Sequence, residues 1–153
     1  MKPKILIFTH HPECSVQSGA GIYEALSQNF DVDFFTVDDI SIKTFKKIDV
    51  IAFPGGIGDS DSFDDLLSPT KDIILECLEK GKKYLGICMG AYWADCYYYN
   101  ILKDAEIVQY IKRPTAEIKR SYGTTIEVNW LDSTEQMFFY DGCAIIGDES
   151  KFT

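Results

Sequence analysis

Apolar residues fall in short continuous runs over the first two-thirds of the chain and in alternating runs over the last third. Lys4 to Phe8 is a continuous apolar run, the pattern of a central parallel strand covered on both faces. The stretch from Thr9 to Gly21 follows as a loop that holds His10, His11 and Pro12. A helix is predicted from about Ser18 to Asn29, with Ile22, Ala25 and Leu26 on its buried face. Val32 to Val37 reads as a second strand, Ile40 to Phe45 as a short helix or turn, and Asp49 to Phe53 as a third strand ending in Pro54-Gly55-Gly56. Gly58 to Asp65 reads as an acidic loop. A further helix starts near Ser68-Pro69, where proline suits the first helical position. It carries Ile73, Ile74, Cys77 and Leu78 at helical spacing, and Gly81 ends it. Lys83 to Leu85 leads into Gly86-Ile87-Cys88-Met89-Gly90, and a helix is expected over about Gly90 to Tyr99. This alternation predicts an α/β fold, a parallel sheet sandwiched by helices.

The last third changes character. Thr124 to Trp130 alternates as a strand. Glu135 to Tyr140, Asp141-Gly142 and Cys143 to Gly147 read as a C-terminal β-hairpin with a two-residue turn, because Asp-Gly supports positive φ. No repeat, low-complexity tract or linker interrupts the chain, so residues 1–153 are expected to form a single domain.

Composition narrows the function classes. The formal net charge of -9 argues against a nucleic-acid or anionic-membrane partner. The one basic stretch, Lys112-Arg113 with Lys119-Arg120, reads as a solvated face. No segment reaches the roughly 18 apolar residues of a membrane span, and no signal-peptide cleavage pattern follows the N-terminus. Five cysteines without secretory features read as reduced cytoplasmic thiols. With no CxxC pair and only His10 and His11, neither metal nor cofactor is expected.

The chemistry concentrates at Cys88. An apolar strand, Gly-x-Cys-x-Gly and a following helix form the cysteine version of a nucleophile elbow. Glycine on both sides permits a tight turn, and a thiol at a helix N-terminus is favoured as thiolate. In an open α/β sheet the loops after the first, third and elbow strands meet at the carboxyl edge. The backbone amides of Gly55, Gly56 and Met89 are therefore candidates to hold an oxyanion beside Cys88, with Gly90 in the same turn. A thiol nucleophile also needs a base. His10 and His11 are the only histidines, and Glu13 is the carboxylate near them in sequence. Tyr92, Trp93, Tyr97, Tyr98 and Tyr99 at helical spacing read as packing. Tyr140 and Asp141 are placed near the site.

Pro54-Gly55-Gly56, then Tyr84-Leu85-Gly86-Ile87-Cys88-Met89-Gly90-Ala91-Tyr92, then Phe139-Tyr140-Asp141-Gly142, resemble the class I glutamine amidotransferase-like superfamily. Within it the motifs are most similar to the N-terminal domain of eukaryotic-type biotin-protein ligases and their stand-alone bacterial relatives. The resemblance implies a flavodoxin-like three-layer α/β/α sandwich with Cys88 as nucleophile. Glutamine-hydrolysing members add a late His-x-Glu segment, and this sequence has no histidine after His11. Related branches place histidine directly after the cysteine, where Met89 stands here. No Gly-Arg-Gly-Arg-type loop occurs, so the biotin-ligase catalytic module is absent from these residues.

Three functions stay open from the sequence. One is a cysteine-dependent hydrolase of a small amide or carbonyl compound. The other is a non-catalytic module that binds a small ligand or a protein. A redox or carbonyl-stress sensor is a third. In each case a small-molecule substrate or ligand is the expected partner, and a homodimer is the assembly left open.

Overall fold

The computed structural model describes residues 2–57, 60–130 and 132–148. Its centre is a four-stranded parallel sheet in the order β2-β1-β3-β4. The strands are β1 (Lys4–Phe8), β2 (Asp31–Phe35), β3 (Val50–Phe53) and β4 (Lys83–Gly86). β1 sits between β2 and β3, and four of its five residues are buried. Because successive side chains alternate across a strand, the one apolar run fills two cores. Ile5 and Ile7 pack with Ile22, Ala52 and Leu26 on one face. Leu6 and Phe8 pack with Phe35, Ile51, Phe53, Phe63, Ile74 and Trp93 on the other.

Helices cover both faces, which makes three layers. α1 (Val16–Leu26) supplies Ile22 and Leu26 to the first core. Its N-terminus is capped by the Ser15 side chain, which accepts from Ser18 N at 3.2 Å. α2 (Ile42–Phe45), α3 (Ser60–Leu67) and α4 (Lys71–Glu79) supply Phe45, Phe63, Leu67, Ile74 and Cys77 to the second. α4 ends where Gly81 adopts φ 87°, a conformation glycine takes without penalty.

Two expectations change here. The acidic stretch read as a loop is helical from Ser60 onward, and Gly58 and Asp59 lie outside the described residues. Phe63 and Leu67, four residues apart, give it a buried stripe that outweighs the acidic side chains. The helix after Cys88 is a single turn, α5 (Met89–Tyr92), rather than running to Tyr99. Beyond it, Trp93 and Tyr99 turn into the core, and Tyr99 N donates to Trp93 O at 3.0 Å.

The rest of the chain is antiparallel. β5 (Ala105–Gln109), absent from the sequence reading, pairs with β8 (Cys143–Gly147). β6 (Thr124–Trp130) pairs with β7 (Ser133–Phe139). A C-terminal hairpin is therefore present, but it joins β6 to β7. The expected pairing across Asp141-Gly142 does not form. Asp141 takes φ 48° while Gly142 does not take a positive value, and the type I′ turn needs both. Tyr110 N instead donates to Gly142 O at 3.0 Å, which sends β8 to β5. Among the described residues, no helix is long and apolar enough to cross a membrane.

Glycine positions separate sharply in this fold. A methyl group at Gly90 would overlap the Phe53 carbonyl, whereas one at Gly21 on α1 meets nothing within 4 Å. Gly90→Ala is expected to lower stability by about 3 kcal/mol or to prevent folding. Gly21→Ala is expected to raise it by about 0.5–1 kcal/mol. Urea unfolding of the two variants checks the contrast.

Candidate active site

The carboxyl edge of the parallel sheet is stitched together by main-chain hydrogen bonds. Ser15 N donates to Gly55 O at 2.9 Å and Ile57 N to Glu13 O at 2.7 Å, so the loops after β1 and β3 run side by side with Cys14 opposite Gly56. The turn after β4 is bound to the same edge. Ile87 N donates to Phe53 O at 3.0 Å and Gly90 N to Pro54 O at 3.1 Å. Tyr84 Oη donates to Gly90 O at 2.6 Å and braces the turn from beneath.

Cys88 is the residue this turn strains. Its backbone stands at φ 53° and ψ -111°, a region that costs a non-glycine residue of order 1–3 kcal/mol. The half-buried side chain faces a cavity of about 890 Å³. Gly56, Met89, Tyr92, Gln109, Tyr140 and Asp141 share its wall.

The expected oxyanion donors divide. Gly55 N donates to Ser18 Oγ at 2.8 Å, so it is already engaged. Gly90 N is held by Pro54 O and Ile87 O. Gly55 instead provides clearance, because a Cβ there would lie 3.5 Å from Cys88 Cβ and 3.3 Å from Ser18 Oγ. The amides of Gly56 and Met89 have no acceptor among the described residues. At Gly56 a Cβ would stand 2.7 Å from Phe63 and 2.9 Å from the Met89 side chain. Only glycine lets this loop approach so closely.

Among the described residues, no hydrogen bond joins either histidine to the Cys88 sulfur. His10 Nε2 lies 3.4 Å from Glu13 Oε2 on the loop after β1, and its ring stacks near Phe8. Neither His10, His11 nor Glu13 lines the cavity. The loop does reach the expected sheet edge, but its Cys14–Glu13 backbone takes the place beside Gly56.

Other polar groups do converge there. Asp141 accepts from Gln109 Nε2 at 2.7 and 2.8 Å and from Ser121 Oγ at 2.7 Å. Asp95 is buried at 2% exposure, accepting from Ile107 N at 2.5 Å and Tyr97 N at 3.0 Å. It thereby fastens β5 to the segment after α5. Burial pushes the Tyr92 hydroxyl up, with Cys143, Asp141 and Cys88 adding to the effect. The sequence reading missed Gln109, Ser121 and Asp95, and took Tyr92, Tyr97 and Tyr98 as packing; Tyr98 does pack on Trp93 and the core, and all three tyrosines also line the cavity. The alternation of Ala105 and Ile107 was the signal that locates β5 and so Gln109. Lys112 borders the cavity, while Lys119 Nζ caps the Arg113 and Pro114 carbonyls.

This strand order, with its antiparallel addition, matches the α/β fold of solved glutamine amidotransferase structures. The chain is similar to a candidate GMP synthase subunit from Thermoplasma acidophilum, with TM-score 0.62 and 17% identity over 95% of this chain and 68% of that one. It is also similar to a glutamine amidotransferase from Thermotoga maritima, with TM-score 0.58 and 14% identity over 95% of this chain and 63% of that one. A further glutamine amidotransferase structure gives TM-score 0.59 and 15% identity over 91% of this chain and 71% of that one. In sequence, 57 residues are 42% identical to the imidazole glycerol phosphate synthase subunit HisH of Pyrococcus furiosus. That match covers 37% of this chain and 27% of the relative. No protein-family model matches the chain.

Two of the site's supports can be probed by substitution. Asp95→Ala leaves the buried Ile107 amide and the part-buried Tyr97 amide without this acceptor and is expected to cost about 3 kcal/mol. Asp141→Ala, whose partners reach solvent, is expected to cost about 1 kcal/mol or less. Urea midpoints separate them. Burial pushes the Cys14 thiol from its ordinary 9.0 up to about 11. The unfolded chain therefore ionises first. Stability is full below pH 9 and falls as pH rises toward 11, and Cys14→Ala is expected to flatten that fall.

Proposed function

We propose that residues 1–153 form a single amidotransferase-like domain in which Cys88, on a nucleophile elbow, attacks the carbonyl carbon of a small amide or related carbonyl compound. The observation that supports this reading is the strained Cys88 backbone, φ 53° and ψ -111°, beside a cavity walled by Gly56 and Met89, whose amides have no acceptor among the described residues. Strain of this kind is kept where surrounding structure over-determines it, and it clusters at reactive centres. In this mechanism the sulfur bonds to the carbonyl carbon, and the Gly56 and Met89 N–H groups receive the developing oxyanion. The thiol proton goes to the leaving nitrogen, which departs as neutral amine or ammonia. Water then cleaves the thioester, its hydroxyl going to the acyl group and its proton to the sulfur. Asp141 and Tyr140 orient the ligand.

Within this class we place the chain nearest the biotin-protein ligase N-terminal domains and their stand-alone relatives, on the Tyr84–Tyr92 and Phe139–Gly142 motifs. The relatives named as subunits, of GMP synthase and of imidazole glycerol phosphate synthase, support assembly with a partner, and a homodimer is the simplest form. Five free thiols support a reducing, cytoplasmic setting.

One observation favours a second reading. No imidazole lines the cavity, so the scaffold also suits a module that binds a small ligand or a protein without turning it over.

Ammonia release from a panel of small primary amides, glutamine among them, decides between the two. Turnover is expected in the native chain and is lost by at least about 10³-fold in Cys88→Ala. Equal rates in native and Cys88→Ala protein would overturn the catalytic reading. A ligand whose thermal shift survives Cys88→Ala, with no turnover in either, supports the binding module.

A further inference from the structure

Cys143 opens the strand that leaves the cavity wall just after Asp141. It is the register partner of Gln109 in the β5–β8 ladder. Side chains directly opposite each other on an antiparallel pair share a face. The Gln109 side chain lies in the cavity wall and holds the Asp141 carboxylate there. Ile107, two residues earlier on the same face, lines the cavity as well. Cys143 does not itself line the cavity, but the shared face puts its thiol on the side of β8 that Gln109 and Ile107 present to the cavity. Both thiols are free and half-buried. The electrostatics agree with that placement. The Cys143 thiol is raised first by burial and then by Cys88. The Tyr92 hydroxyl, raised first by burial, feels Cys143 and Cys88 together.

The remaining cysteines are placed differently. Cys14 and Cys77 are buried. Cys96 is exposed and engaged with Asp95.

We propose that Cys143 is a resolving cysteine, which converts oxidised Cys88 into a reversible Cys88–Cys143 disulfide. The inference rests on the reading of Cys88 as a reactive nucleophile. The oxidant is a hydroperoxide. The Cys88 thiolate attacks the peroxide oxygen, the O–O bond breaks, and Cys88 becomes a sulfenic acid with hydroxide or alkoxide released, which takes a proton from water. The Cys143 sulfur then attacks the Cys88 sulfur, the S–O bond breaks, and water leaves with the Cys143 proton. One peroxide is reduced and two thiols are oxidised to one disulfide. The thiol is masked but protected from sulfinic acid, and a dithiol reductant restores it.

The test uses the full chain treated with hydrogen peroxide, blocked with iodoacetamide, and digested without reductant for mass spectrometry. A crosslinked pair of peptides carrying Cys88 and Cys143, two hydrogens lighter than the free pair and lost on dithiothreitol treatment, is expected. In Cys143→Ser the crosslink disappears and dimedone traps a sulfenic acid on Cys88. Peroxide then oxidises Cys88 beyond recovery by dithiothreitol. Cys96→Ser is expected to leave the native crosslink unchanged. Cys88 sulfenic acid trapped in the native chain with no Cys143 crosslink would overturn this proposal alone. A Cys88 that neither oxidises nor alkylates would overturn both it and the nucleophile reading.

Discussion

The steric contact of Gly90 with the end of β3 is the constraint on which the site depends. The Gly90 Cα rests on the Phe53 carbonyl so closely that no side chain fits between them. Gly86 is equally tight against the Gly90 backbone. With both ends of the turn pinned, and with Ile87 N and Gly90 N bonded to Phe53 O and Pro54 O, Cys88 has no relaxed conformation open to it. It is pushed to φ 53°. Packing of the Phe53 side chain in the central core anchors the whole arrangement. The strain at one residue is thus offset by burial of many others, and a core built for stability fixes the position of a sulfur at its rim.

The parallel sheet supplies only one wall of the cavity. The other comes from the antiparallel strands, and Asp95 links the two halves. As a buried carboxylate accepting two main-chain N–H groups, it holds β5 against the segment leaving the cysteine turn. Buried charge is costly unless fully hydrogen-bonded, so this clamp specifies one arrangement of β5. β8 follows β5 through the ladder, which brings Asp141 to the cavity wall that Cys88 shares and pairs Cys143 with Gln109. The route from sequence to site therefore runs through one buried acid that a composition-based reading treats as surface.

What the sequence revealed follows this division. Continuous apolar runs such as Ile5–Phe8 carry strand identity locally, and the glycines flanking Cys88 announce their turn by themselves. The loops after the first, third and elbow strands were expected to meet at one sheet edge, and β1, β3 and β4 do stand side by side. Partners set by distant contacts were not legible. Asp141-Gly142 looks like a hairpin turn in isolation, but Gly142 O is taken by Tyr110 N. The acidic run after Asp59 looks like a loop until Phe63 and Leu67 are seen to be buried together. His10 was a candidate base because it lies on the right edge, yet its imidazole sits by Glu13 and outside the cavity. Loop direction at a sheet edge depends on hydrogen bonds that span tens of residues, such as Gly55 N to Ser18 Oγ.

On the proposed reading, folding itself presents the Cys88 sulfur for attack. The most direct measurement of this is the iodoacetamide alkylation rate of Cys88, resolved at peptide level, in the native protein and again in urea. A rate higher in the folded chain than in the unfolded one, with Cys14 and Cys77 protected by folding, is the predicted result. Alkylation of Cys88 that slows on folding as theirs does would contradict the account.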